Sequence, residues 1–388
     1  ILLLLRLPYI IAGILLGLTI FFWSKRLYGT RSGIFALILF TFSPVLISYS
    51  ATVLQNILIT FLILLTSYLF WEFTQQPTLK KFILFSTAFG FALATEFTAI
   101  FLLPMLAIYF LVHLFIKNSV YDKFWTVKNT ILSKIGKLIA LILIAIFISS
   151  ILLLIVHHGQ FTTINNASPE RYQSYITKYT DSNPLVKFIA KKIPIPFPAY
   201  FIGFGWHIIN TSGGFKTNFF AGEIYTGSNI LYFFANLAVK NPIPLIIFLI
   251  LGTILILKNK SQILKTGEWI ILLMPLMFFL FFMNSARNNG PAHVLPMFAF
   301  FIIIASRSHK WIENKNTFFK ASAIFLIVWY IIGTLLIAPH FFTYFNEFLP
   351  NERAYQTFTD ASNDLGQELR HLSNYMKNNN INSIQLSY

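Results

Sequence analysis

The sequence predicts an all-α polytopic membrane protein, and three observations carry that prediction. Hydrophobic residues fill 56% of the 388 positions and charged residues only 11%, against roughly a quarter charged in ordinary soluble domains. Mean hydropathy is +0.68. Apolar runs close to the ~20 residues needed to cross a bilayer core recur along the chain. A soluble fold of this length has no interior able to hold 44 Phe residues and their aliphatic companions.

The runs define ten spans: 4–23, 33–49, 53–72, 80–94, 98–116, 138–157, 243–257, 269–284, 291–306 and 318–338. The third is long and the fourth short, so tilt must absorb some mismatch. They divide the chain into a first group of helices over 1–157, a long loop over 158–242, a second group over 243–338 and a tail over 339–388. No internal repeat stands out.

Charge then sets the orientation, because short basic loops stay on the cytoplasmic side. Every second short loop is basic, and five such loops hold 17 of the 29 Lys and Arg, from Lys25, Arg26 and Arg31 to Arg307, Lys310, Lys315 and Lys320. The intervening turns hold only Arg287. The alternation places Ile1, the long loop and the tail outside. Nine of the 13 acids lie on or near that side, Glu96, Glu223 and Glu347 among them. The net charge of +16 is therefore the mark of an inward-facing membrane surface. No soluble basic face for nucleic acid is present. The absence of cysteine excludes disulfides and thiolate zinc sites. Ile1 opens inside an apolar run without a basic leader, so the chain reads as a fragment and not as a signal peptide.

Two outer segments are too patterned to be connectors. The first, 218–244, holds Glu223 between Gly222 and Gly227, then Tyr232, Phe233 and Phe234, then Lys240 before Asn241-Pro242-Ile243-Pro244. A cation at a membrane mouth can hold a lipid phosphate; the alternative is a snorkelling lysine that anchors a helix end. The second segment, 338–369, carries Asp360 and Asp364 four residues apart beside Asn363 and Gln367. Such a group suits sugar hydroxyls or a divalent cation, though the spacing is not an EF-hand loop. The competing reading is a capped helix start at Asp360 or Ser362. Arg287 and His293 sit at the outer end of a span, where they can meet an anionic donor or serve structure alone. Phe197–Ile209 is apolar and aromatic, as expected of an interfacial segment. Glu96 falls in a short outer turn, His157-His158 reads as a polar stop, and no phosphate-loop, hydrolase or zincin motif occurs.

Taken together, these segments resemble the dolichyl-phosphate-mannose protein mannosyltransferases, glycosyltransferase family 39 with its GT-C fold. The run P-H-F-F-T-Y-F-N-E at 339–347 and D-L-G-Q-E-L at 364–369 is similar to the family's C-terminal signature. A-G-E at 221–223, Y-F-F at 232–234, K-N-P-I-P at 240–244 and H-V-L-P at 293–296 resemble further family motifs, as do R-L-P at 6–8, G-T-R-S-G-I-F-A at 29–36 and Ser43-Pro44. The resemblance implies a GT-C helix bundle. It also implies transfer of a hexose, mannose in the family, from a polyprenyl-phosphate sugar to a protein, lipid or glycan acceptor at the extracytoplasmic face of a membrane, with the plasma membrane expected. It makes Glu223, Tyr232, Lys240, Arg287, His293, His340, Tyr344, Asn346, Asp360, Asp364 and Gln367 the donor- or acceptor-binding candidates. No cofactor is firmly implied and no metal ligand set is assigned. The family's catalytic carboxylate lies in a first outer loop before R-L-P, so it is expected upstream of Ile1. The chain departs from the pattern at Asn56, where the family has an acid, at Glu96, where it often has Lys, and at Ala292 and Leu365. A transporter or flippase and a non-catalytic GT-C-like scaffold are the rival classes. The spans are almost free of charge and the polar residues gather on one side, which favours an enzyme working at one interface.

Overall fold

The structure is a computed structural model that describes residues 2–115, 131–170, 183–212, 217–258, 260–286, 288–313, 316–359 and 365–385. The first group of helices is α1 (Leu2–Tyr28), α2 (Thr30–Thr41), α3 (Pro44–Ala51), α4 (Asn56–Gln75), α5 (Leu79–Thr95), α6 (Leu102–Phe115) and α7 (Ile131–Val156). The long loop follows with β1 (Phe161–Thr162), α8 (Pro184–Lys192), β2 (Ile195–Pro196), α9 (Pro198–Ser212), β3 (Thr217–Phe220), β4 (Glu223–Thr226) and α10 (Ile230–Lys240). The second group is α11 (Ile243–Leu257), α12 (Lys260–Thr266), α13 (Ile270–Phe282), α14 (Leu295–Ser306) and α15 (Thr317–Leu336), and the tail ends in α16 (Leu369–Asn378).

Each of the ten expected spans coincides with helix, yet length and apolarity qualify them unevenly. Among the described residues five helices are long and apolar enough to cross a membrane, or seven when each of two bent pairs counts as one span. The expected single span over 33–49 is such a pair: α2 and α3 meet at 65°. Pro44 removes a backbone donor at that break, and α15 satisfies the freed carbonyls. Thr334 Oγ1 donates to Phe42 O at 2.6 Å and Tyr330 Oη to Leu39 O at 2.5 Å. The span opening at residue 243 likewise forms a 106° corner with α10.

Helix α14 is the axis of the bundle. All its residues except Phe301 are buried, as expected of a helix apolar all round, and α1, α2, α4, α11 and α13 pack on it. The peripheral helices expose their apolar sides, with Phe147 66% and Leu336 81% accessible. Surfaces of that kind belong against lipid tails.

The loops meet in two sets, at opposite ends of the bundle. At one end Glu72 takes both Arg26 (3.2 Å) and Lys81 (2.9 Å), Arg31 pairs with Glu313 at 2.6 Å, and Tyr28 Oη donates to Glu268 at 2.6 Å. These are four of the five basic loops that charge alternation assigned to a single side; the fifth, around 117–137, lies largely outside the described residues. The other end carries two small sheets. Strands β1 and β2 pair antiparallel with Phe161 opposite Pro196. Strands β3 and β4 form a hairpin whose turn residues Ala221 and Gly222 both have positive φ, which is the turn that matches strand twist.

Candidate functional site

The end opposite the basic loops holds a polar cavity of about 640 Å³, within the size range of small-molecule sites. Its walls come from chain breaks, which explains how polar groups reach the end of an apolar bundle. Gln55 and Asn56 stand at the start of α4. Glu96 stands where α5 gives way to a 3-10 turn over Phe97–Phe101. Its backbone is extended there, its N–H donates to Ala92 O and its carbonyl accepts from Ala99 N, both at 3.1 Å. The helix end is thus closed by main chain, and the half-buried Glu96 lines the cavity. His157, one residue past α7, and Tyr200 and His207 on α9 form the side built by the long loop.

An aromatic wall supports that side. Phe97 packs against Tyr200 at 5.1 Å and His207 at 6.1 Å between ring centroids. A Cβ at Gly203 would lie 2.5 Å from the Phe97 ring, so a larger residue there would require that ring to shift. The Tyr200 hydroxyl is buried, has no hydrogen-bond partner among the described residues and has its pKa pushed up to about 12 by burial.

The remaining wall is the loop before α14. Tyr232 Oη accepts from Gly290 N at 2.7 Å, Asn218 Nδ2 donates to Ala286 O at 2.8 Å, and Tyr225 bonds Asn288. The hairpin and α10 therefore prop the segment that presents Asn289 and His293 to the cavity. His293 stacks on Phe282 with centroids 5.6 Å apart, and Asn56 Nδ2 reaches Ala292 O at 3.4 Å. Among the described lining residues Glu96 is the acid, and lysine and arginine are absent. The cavity can thus bind hydroxyls, donate hydrogen bonds from amides and imidazoles, and accept a proton at one carboxylate.

Of the expected site residues the structure brings His293 to this cavity and Tyr232 to its support. Lys240 lies elsewhere. It is 2% accessible, donates to Phe342 O at 3.2 Å and sits 3.7 Å from the Phe345 ring centre. A headgroup-level lysine, whether a phosphate ligand or a snorkelling anchor, would expose its ammonium; here the tail covers it. Asn346 closes the corner between α10 and α11, with Nδ2 donating to Ala238 O and Asn241 O at 2.7 Å each and its N–H to Val239 O at 2.8 Å. Tyr344 is buried beside it, and its hydroxyl pKa is raised by burial and by the Glu347 charge. His340 pairs with Glu368 at 3.2 Å on the surface, Glu223 is exposed at the hairpin turn, and Gln367 accepts from Leu365 N at 2.7 Å. Arg287, Asp360 and Asp364 lie outside the described residues.

The Asn346 contacts support a first prediction. Replacing it by Leu strands two buried carbonyls and should destabilise the protein by about 2–4 kcal/mol. Thermal unfolding in detergent reads this directly. Wild-type stability combined with lost donor affinity would return Asn346 to a binding role.

Sequence reasoning missed Tyr9, Gln55, Tyr200, His207 and Asn289 as cavity residues; it met Asn56 as a departure from a pattern, and Glu96 as that and as an acid in a short outer turn. The available signal was His207, an imidazole inside the aromatic stretch of α9.

One comparison with known proteins agrees with the resemblance over the first group of helices. Residues 3–153, which contribute Tyr9, Gln55, Asn56 and Glu96 to the cavity, match the family model "Dolichyl-phosphate-mannose-protein mannosyltransferase". No curated protein matches the chain. Among solved structures, 87% of the chain overlays on 58% of ArnT from Cupriavidus metallidurans bound to undecaprenyl phosphate, with a TM-score of 0.46 and 14% identity. The apo state of the same protein gives a TM-score of 0.45 at 12% identity, with 87% and 57% covered. The chain therefore spans well under two thirds of the length of the solved structures it matches. The helices are those of a polytopic membrane protein, and over residues 3–153 the chain is similar to the dolichyl-phosphate-mannose-protein mannosyltransferases.

Proposed function

We propose that the protein is a membrane glycosyltransferase that moves a hexose, mannose by the family's description, from a polyprenyl-phosphate sugar to an acceptor hydroxyl at the extracytoplasmic face. The observation that carries this reading is the polar cavity, built in large part from the segment that matches the mannosyltransferase model and opening at the end opposite the basic loops. The orientation rests on those loops facing the cytoplasm.

The reaction requires three things of the cavity. The acceptor O–H must lose its proton, its oxygen must bond to the anomeric carbon, and the bond from that carbon to the phosphate oxygen must break with its electron pair leaving on the lipid phosphate. Glu96 is the carboxylate that the described residues bring there, and we assign it the proton. The family resemblance places a carboxylate before R-L-P as well, and replacing each in turn separates their roles. Asn56, Asn289 and His293 offer hydrogen bonds to sugar and phosphate oxygens. Arg287, two residues before Asn289, keeps its assignment as the phosphate's cation. Lys240, held by Phe342, has the supporting role. The acceptor is a hydroxyl of a protein, lipid or glycan.

Turnover of polyprenyl-phosphate mannose and polyprenyl-phosphate glucose by the full-length protein in nanodiscs tests the reading. The mannose donor should release polyprenyl phosphate at least about tenfold faster, a preference that hydrogen bonds to one or two hydroxyls supply. Equal rates would remove mannose but keep the transferase. No release with protein, lipid or glycan acceptors would remove the transferase.

A further inference from the structure

Helix α8 has a surface that the bundle does not use. Asn183 caps it through Leu185 N at 2.9 Å, Pro184 opens it, and Ile193 N closes it on Ile189 O at 3.1 Å. The helix is therefore well defined, yet Ala190 is its one buried residue. Leu185, Phe188 and Ile189, at i, i+3 and i+4, share a face and are 66%, 57% and 37% accessible. Lys187 and Lys191, four apart, lie on a different side, and Lys192, four residues after Phe188, ends the helix on the apolar face. The helix carries no acid. An exposed apolar face on a helix whose charges are all positive is the pattern of a helix lying in a membrane interface.

The sheet β1–β2 fixes the height of this helix. Strand β1 begins five residues past the end of α7, so at most roughly 15 Å of extended chain separates them. Strand β2 follows Lys192 by three residues and pairs with β1, and Phe197 N adds a bond to Gln160 O at 2.8 Å. The C-terminal end of α8 is thus pinned near the mouth of α7, whose Ile155 is 66% accessible to lipid near that end. Helix α9, which brings Tyr200 and His207 to the polar cavity, starts directly after β2. An exposed basic amphipathic helix is therefore tied near the end of α7, at the flank of the cavity.

We propose that α8 docks on an anionic phospholipid surface, with Leu185, Phe188 and Ile189 in the acyl boundary and the lysines at lipid phosphates. The charge complementarity selects this occupant: an acid-free helix that ends in Lys191 and Lys192 matches a surface of phosphate groups, and its apolar face needs a partner that has tails beneath them. The proposal stands apart from the transfer reaction, since it concerns how the long loop rests on the membrane.

Because the chain has no cysteine, a single Phe188→Cys variant of the full-length protein can carry an environment-sensitive fluorophore. It is reconstituted in nanodiscs of phosphatidylcholine alone or with phosphatidylglycerol, and spin-labelled lipids report depth by quenching. The expected result is quenching by labels just below the headgroup, stronger in the anionic discs. Replacing the lysines by Gln should lower the docked-to-undocked ratio by about fivefold per lysine, as should raised salt, while thermal unfolding of the bundle stays unchanged. A fluorophore that no spin-labelled lipid quenches would place the helix in water and overturn the proposal. Quenching indifferent to lipid charge and to the lysines would overturn the anionic recognition. A blue shift that appears only with two protein copies per disc would assign the face to a second copy instead.

Discussion

Replacing Glu96 by Gln lowers the rate of sugar transfer by about 10²–10⁴-fold, the range associated with loss of a positioned general base. Glutamine keeps the shape and the hydrogen-bonding reach but cannot take a proton, so donor affinity and thermal stability should stay near wild type. The effect should fall on kcat and kcat/KM together, because the interaction is made as the acceptor proton leaves. Glu96→Lys restores the residue the family often has, yet it should transfer no better than the Gln variant. A Lys variant as active as wild type would mean that Glu96 takes no proton and that the carboxylate expected before R-L-P acts alone.

Gly252→Val should be the most damaging single change in the bundle. A Cβ at Gly252 would stand 2.1 Å from Ile304 O, 2.8 Å from Ile304 C and 3.2 Å from Ala305 Cα. These are main-chain atoms of the buried axis α14, so no side chain can swing aside. Helix α11 must move away from α14, and overpacking in a tight core costs about 1–3 kcal/mol even where side chains can yield. Loss of the monodisperse species in detergent is the expected outcome for Val, with a large fall in thermal midpoint for Ala. Gly333→Ala on α15 is the matched control. Its Cβ meets nothing within 4 Å, and Ala is the better helix former by about 1 kcal/mol, so that variant should be as stable as wild type or slightly more so. Equal behaviour of the two alanine variants would remove the close approach of α11 and α14 from the account.

The helices were legible in the sequence because membrane burial writes itself into composition. Each of the ten apolar runs coincides with helix, and four of the five basic loops that alternate along the chain meet at one end through Glu72, Glu268 and Glu313. The bends were less legible. Pro44 and Pro242 mark where the chain cannot continue straight, but the hydroxyls and the amide that satisfy the broken turns, on Thr334, Tyr330 and Asn346, lie more than a hundred residues away in sequence. The site was partly legible for the same reason. His293 is in the cavity, whereas Lys240, equally prominent as a charge near a span, is turned under the tail. Sequence position sets how deep a residue sits along a helix, not which neighbour its side chain faces. Glu96 and Asn56 gained meaning only when Tyr9, His157, Tyr200 and His207 were found around the same space.

The central claim is that the polar cavity at the outer end is where transfer takes place, and Val53 tests it most directly. Val53 lines the cavity and is 44% accessible, and the chain has no cysteine of its own. A Val53→Cys variant, active before treatment, is exposed in intact cells to a bulky maleimide that does not cross membranes, and polyprenyl-phosphate sugar turnover is then measured. The account predicts labelling from outside and a loss of turnover proportional to the labelled fraction. Complete labelling with full turnover would contradict it.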